Sequence, residues 1–229
     1  MIKSNGWSKY SIWEHSNIAK TLYFERAMGK AVEMTCHSQA VEILRDLLIN
    51  GESVLDVGCG TGYFYHSFLK RGIPIDYHGI DASAHFIETG RNCLKDFGLP
   101  PDRLQNLRIE DMGGEVDHVV CINVLSNMDN IYRPLERMLK MAKRTVVLRE
   151  SFARTSSCKY VVDKYLDSEE DLRTYVNTYP IGPVCDFVQG FGFSTKIVTD
   201  EYTGGKVQDV IDYPHHWAFL VATKEQSEK

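Results

Sequence analysis

An acid ends a short apolar run and three glycines follow at alternate positions: Val54-Leu55-Asp56-Val57-Gly58-Cys59-Gly60-Thr61-Gly62-Tyr63-Phe64. Glycine tolerates positive φ and lets a ligand approach the main chain closely. Such a turn offers bare amides to something flat or charged. Two ligand chemistries compete for it. A dinucleotide needs Gly-x-Gly-x-x-Gly, so that pyrophosphate can sit on a helix N-terminus. Counted from Gly58 the third glycine falls on Tyr63, and counted from Gly60 it falls on Tyr65, so both registers fail. Asp56 would repel an anion and attract an ammonium or sulfonium group. The sign of that charge favours an amino-acid-like ligand over a diphosphate.

Other residues could share the chemistry. Asp81 follows Gly79-Ile80, about the 20 residues downstream where nucleotide-binding folds place a ribose-binding acid. A carboxylate accepting two hydroxyl hydrogen bonds is a strong and selective contact. His37, His215 and His216 are the base candidates, because an unperturbed imidazole titrates near neutrality. Glu150 has Arg149 beside it as its simplest partner. The six cysteines include no Cys-x-x-Cys pair, and His-Glu-x-x-His is absent, so no metal is expected. Free thiols are the expected state of a chain that needs no disulfide staples.

These groups need a scaffold of alternating strands and helices, the pattern of a parallel sheet with helical crossovers. Strands are expected at Ser53 to Val57, Asp76 to Ile80, Leu104 to Ile109, Val116 to Val124 and Arg144 to Arg149. Phe193 to Tyr202 and Trp217 to Thr223 give two more. Helices are expected at Tyr63 to Lys70, after an N-cap at Ser83, and at Pro134 to Ala142. Ala40, Val41, Leu44, Leu47 and Leu48 give the N-terminal stretch a helical period, and Ser168-Glu169-Glu170-Asp171 suggests another helix start. One domain results, with residues 1–50 as a helical lid and 51–152 as the core. Residues 153–192 form an insert on the acceptor side, and 193–229 a terminal hairpin.

The glycine segment resembles motif I of the class I S-adenosylmethionine-dependent methyltransferases, and the likeness runs in order from Glu52 to Ser151. Gly79-Ile80-Asp81 resembles the acid that holds the ribose. Glu110-Asp111-Met112 resembles the segment that reads adenine. Cys121-Ile122-Asn123-Val124-Leu125-Ser126-Asn127-Met128 resembles the fourth-strand motif that lines the methionine moiety. The resemblance implies an α/β, three-layer Rossmann-like fold. Its seven-stranded sheet would be mostly parallel, with an antiparallel C-terminal strand. It implies S-adenosyl-L-methionine as cofactor and S-adenosyl-L-homocysteine as product. The cofactor-binding residues it implies are Tyr10, Asp56, Gly58, Cys59, Gly60, Gly62, Asp81, Ala82, Asp111, Met112, Asn123 and Val124. N-terminal aromatics, among them Trp7, Tyr10, Trp13 and Tyr23, would close over the cofactor.

Composition bounds the acceptor. The 229 residues suffice for one domain, and the net charge of −5 argues against a phosphate-tracking surface. Arg137 to Arg149 is the one basic stretch. No apolar run reaches bilayer length and the N-terminus lacks a signal-peptide core, so a cytoplasmic protein is expected, without membrane or nucleic-acid partners and with homo-oligomers allowed. The expected activity is methyl transfer to an O or N atom of a small polar molecule or sugar. The alternatives are a protein or RNA methyltransferase, and a cofactor-binding protein that transfers nothing.

Overall fold

A computed structural model describes residues 12–167 and 172–224. Three N-terminal helices come first: α1 (Ile12–His15), α2 (Asn17–Ala27) and α3 (Thr35–Arg45). The core then alternates β1 (Ser53–Val57), α4 (Tyr65–Lys70), β2 (Asp76–Asp81), α5 (Ala84–Leu94), β3 (Leu104–Asn106), β4 (Val116–Ile122), α6 (Tyr132–Met141) and β5 (Ala142–Ala153). The insert carries the ribbon of β6 (Tyr160–Val162) and β7 (Arg173–Tyr175), then β8 (Tyr179–Pro180) and α7 (Ile181–Gln189). The chain closes with β9 (Phe193–Thr199), a small ribbon of β10 (Gln208–Val210) and β11 (Tyr213–His215), and β12 (Trp217–Lys224).

The main sheet runs β3-β2-β1-β4-β5-β12-β9, with β8 pairing the far end of β5. β1, β2, β3, β4 and β5 pair in parallel, and β12 runs antiparallel to both β5 and β9. The expected Rossmann-like sheet with one antiparallel C-terminal strand is therefore present. Successive strand residues point to opposite faces. Val54, Val120, Val147 and Phe219 pack under α3, α4 and α5 with Ala40, Leu44, Phe64, Phe68 and Ile87. Leu55, Val119, Val146, Leu148 and Leu220 pack against α6 and α7 with Leu135, Met138, Val184 and Val188. Burial on both faces explains why these strands read as continuous apolar runs.

Caps set several boundaries. The Ser83 hydroxyl accepts the Phe86 amide (3.3 Å) and starts α5, as its spacing predicts. Ser16 starts α2 in the same way, accepting from Ala19 (3.1 Å). Several strand limits differ from expectation, most of all those of β3, β5 and β9. β3 is an edge strand paired only with β2, and it ends at Asn106 rather than Ile109. The chain then tightens into a 3₁₀ turn at Ile109–Asp111. β5 continues past Arg149 because β12 pairs it out to Ser151 and β8 takes over at Phe152. β9 stops at Thr199, since Asp200 closes a turn by accepting the Thr203 amide (2.9 Å). α7 lies inside the region read as insert. The helix start suggested at residues 168–171 falls outside the described residues, as do Trp7 and Tyr10. All six cysteines are free thiols.

Candidate functional site

The carboxyl ends of β1, β2 and β4 meet where the strand order reverses, the place where open α/β sheets bind ligands. The glycine turn leaves β1 there. Gly58 and Gly60 have φ of 71° and 57°. A Cβ on Gly58 would stand 2.4 Å from Val124 Cγ2, and one on Gly60 would stand 2.4 Å from Tyr23 Cε1. Glycine is thus required twice over, by the backbone angle and by what approaches it.

Asp81 ties this turn to the next one. Its Oδ2 accepts the Gly60 amide (2.8 Å) and its Oδ1 accepts the Ser83 amide (2.8 Å). A carboxylate offers about four lone-pair directions, so bracing the turn and accepting from ribose hydroxyls are compatible roles. Ala82, beside it, is exposed. Asp111 is exposed and Met112 half-buried at the turn after β3, on the neighbouring strand end.

Asp56 behaves differently from a surface acid. It is buried, and its Oδ2 accepts the Tyr77 hydroxyl (2.6 Å). Burial, partly offset by Tyr77 and reinforced by the charge of Asp81, pushes its carboxyl from 3.8 up to about 7. Cys59, also buried, bonds the Gly60 carbonyl through its thiol.

The segment after β4 is held by a residue two strands' length away in sequence. Glu150 is fully buried, and its carboxylate accepts the amides of Val124 (2.8 Å), Leu125 (2.8 Å) and Ser126 (2.9 Å). Arg149 does not pair with it. Neighbours on a strand face opposite ways, and Arg149 turns to the other face. There it bonds Asp200 (2.7 Å) and Asn123 Oδ1 and lies 4.5 Å over the Trp217 ring. Asn123 takes a φ of 59°, and β4 ends at Ile122 rather than at the expected Val124.

The three histidines separate. His37 on α3 stacks on Tyr63 with centroids 4.8 Å apart. Burial, then the guanidiniums of Arg26 and Arg149, push its pKa down to about 3. His215 is buried beside Trp217, and burial lowers its pKa too. His216 lies between them in chain order, and its amide donates to the Ser151 hydroxyl (2.9 Å). The Arg149 guanidinium acts on both His37 and His215.

The N-terminal helices and the insert meet over this end of the sheet. Tyr23 stacks on Phe86 (4.5 Å) and lies edge-on to Tyr63 (5.6 Å). The Asp167 carboxylate, near the end of the described insert, accepts the Asn17 amide at the start of α2 (2.6 Å). A cavity of about 370 Å³ opens beside α4, with Arg26, Met34, His37, Tyr63 and Lys70 in its walls. Among the described residues no three His, Cys, Asp or Glu side chains converge as metal ligands. No helix there is long and apolar enough to cross a membrane. Asp200 and Asp167 escaped sequence reasoning, and Glu150 was given the wrong partner, since each acts on a residue 24 positions or more away with no local pattern to mark it.

Two outcomes follow. Replacing Glu150 by Gln leaves one acceptor oxygen for three amides and turns an NH₂ toward them; a loss of about 3 kcal/mol in urea unfolding is expected. A loss below about 1 kcal/mol would contradict the role given to Glu150. Asp56 has a folded pKa raised above its unfolded one, so its contribution is complete below 3.8 and is lost as pH rises through about 7. Relative to Asp56→Asn, wild type should therefore lose melting temperature between pH 5 and pH 8. Parallel melting curves across that range would contradict the buried, protonated carboxyl.

Comparison with known proteins agrees with this arrangement. Residues 55–148 match the family model described as a methyltransferase domain. The chain is 24% identical over 179 residues to the ribosomal RNA small subunit methyltransferase C of Haemophilus influenzae, covering 77% of this chain and 51% of the relative. It is 34% identical over 107 residues to the demethylmenaquinone methyltransferase of Tropheryma whipplei, covering 45% and 44%. The chain thus spans about half the length of the curated relatives it matches. Its fold is similar to that of the magnesium protoporphyrin IX methyltransferase of Synechocystis PCC 6803, solved with the cofactor bound. The TM-score is 0.59 at 16% identity, over 95% of this chain and 97% of that one. Residues 55–148 thus match a methyltransferase domain, and the sheet has the Rossmann-like fold of solved S-adenosylmethionine-dependent methyltransferases.

Proposed function

We propose that this protein binds S-adenosylmethionine on the glycine turn and transfers its methyl group to an O or N atom of a small polar molecule. The residues suit that cofactor. Asp81 stands where ribose hydroxyls would come, and Asp111 and Met112 where adenine would. Asn123 and Val124 would border the methionine end, held by Arg149 and Glu150. When bound, the cofactor supplies an electrophilic methyl on a sulfonium. This chain's part is alignment, which can remove on the order of 7–11 kcal/mol from such a barrier.

One observation carries the preference for a small acceptor over RNA: the sole basic stretch is spoken for. Lys140 bonds Glu136, Lys143 lies 3.8 Å from Asp117, Arg144 bonds Glu52, and Arg149 bonds Asp200. Arg137 donates to the Glu110 carbonyl (3.3 Å). Cations so engaged offer little to a phosphate backbone. The joined lid of α2 and the insert also suits an enclosed acceptor. A second reading, methylation of a macromolecule, draws on the likeness to the ribosomal RNA methyltransferase.

His215 is the better-placed base, beside Trp217 and so within the Arg149 cluster. His37 binds a proton too weakly to act well near neutrality. The test is a search of cell extract for molecules that gain the methyl of isotopically labelled S-adenosylmethionine. A labelled polar metabolite, formed at least about tenfold more slowly by His215→Ala, is the expected result. Label confined to RNA or protein would overturn the small-acceptor reading, and no label anywhere would overturn transfer itself.

A further inference from the structure

Three large apolar residues stand exposed around one hollow. Val32, in the connection from α2 to α3, is 92% exposed, Leu69 in α4 is 42% exposed, and Phe97, just past α5, is 39% exposed. Apolar residues scattered singly over a surface are ordinary. These three instead line a single cavity, the one of about 370 Å³ beside α4, and Met34 adds a further apolar wall. That volume falls in the range of roughly 300–1,000 Å³ usual for small-molecule pockets, which are apolar with a few polar groups.

The charged groups in the described walls are out of balance. Two cations, Arg26 and Lys70, stand against one acid, Glu33. Arg71, outside the cavity, already bonds Glu33 (2.7 Å), and Lys70 comes no nearer to it than 3.8 Å. Arg26 donates to the Tyr63 hydroxyl (3.1 Å), a neutral partner. His66 is fixed by donating from Nε2 to the Ala27 carbonyl (2.8 Å), and its ring lies edge-on to Phe97 (4.6 Å). The pocket is thus an apolar hollow with an uncompensated positive charge, which suits an occupant with one negative charge.

The cavity lies apart from the bed given to the cofactor. Neither Asp56, nor the three glycines of the turn, nor Asp81 lines it. Tyr63 borders it, Tyr23 lies edge-on to Tyr63 (5.6 Å), and the Tyr23 ring rests against Gly60. Two aromatic rings therefore stand between the hollow and the glycine turn.

We propose that this cavity is a second binding site, which takes a small free molecule with an apolar body and one carboxylate. The body lies against Val32, Leu69 and Phe97, and the carboxylate meets Lys70. The site fills whether or not the cofactor bed is occupied.

Calorimetry with 3-phenylpropionate as probe, and with its uncharged analogue 3-phenylpropan-1-ol, tests the site. Val32→Asp sets an acid at the mouth, on a residue so exposed that the fold is little touched; it should weaken the carboxylate by at least about tenfold. Lys70→Gln should weaken the carboxylate about 3- to 10-fold and the alcohol by less than about twofold. Saturating S-adenosylhomocysteine should leave wild-type binding of the probe in place. The proposal is overturned by no saturable binding of the carboxylate up to about 10 mM, by unchanged affinity in Val32→Asp, or by equal effects of Lys70→Gln on both probes. Displacement of the probe by S-adenosylhomocysteine would overturn it too, by making the cavity part of the cofactor bed. A probe that binds as described to a protein that does not bind S-adenosylhomocysteine would overturn the cofactor reading alone.

Discussion

Two carboxylates, each binding main-chain amides, hold the proposed site together. Asp81 joins the glycine turn after β1 to the start of α5, and Glu150 gathers three consecutive amides after β4. Loops that leave strand ends have no ladder to satisfy their N–H groups, and buried amides without partners are costly. An acceptor-only side chain with several lone pairs fixes such a loop at a single point. The bed for a ligand is then in place before the ligand arrives, which lowers the ordering cost of binding.

The same economy recurs on the opposite face of β5. Alternation along the strand sends Arg149 and Glu150 to different sides of the sheet, so two adjacent charged residues serve two separate loops. Arg149 and Asp200 form a buried pair, and such a pair depends on further hydrogen bonds to offset desolvation. Asn123 supplies one on the arginine side, where the Trp217 face adds a cation–π contact, and Thr203 supplies two on the aspartate side. The cluster joins the ends of β4, β5, β9 and β12 into one wall. Proton chemistry near that wall is biased against charge: His37 and His215 are both driven toward the neutral imidazole, in each case by burial first.

Much of this was legible in the chain. β1, β2, β4 and β5 announce themselves because burial on both faces demands apolar runs, and the glycine turn is marked by residues that nothing else can replace. Asp81 reads as important for its position, although two backbone bonds it makes here are invisible in sequence. The limits of legibility are long-range contacts. Arg149 beside Glu150 invites the wrong pairing, because the linear chain hides which face each residue takes. Asp167 reaches α2 across 150 residues, and Asp200 reaches Arg149 across 51, with no periodicity to betray either. Arg26 looks like any basic residue in the last turn of a helix until Tyr63 and the cavity are set around it.

A crystal structure of the protein with S-adenosylhomocysteine would test the central claim most directly. The account predicts the nucleoside against the Gly58–Gly62 turn, with its ribose hydroxyls on the Asp81 carboxylate. Density for the ligand elsewhere, or a ribose turned away from Asp81, would contradict it.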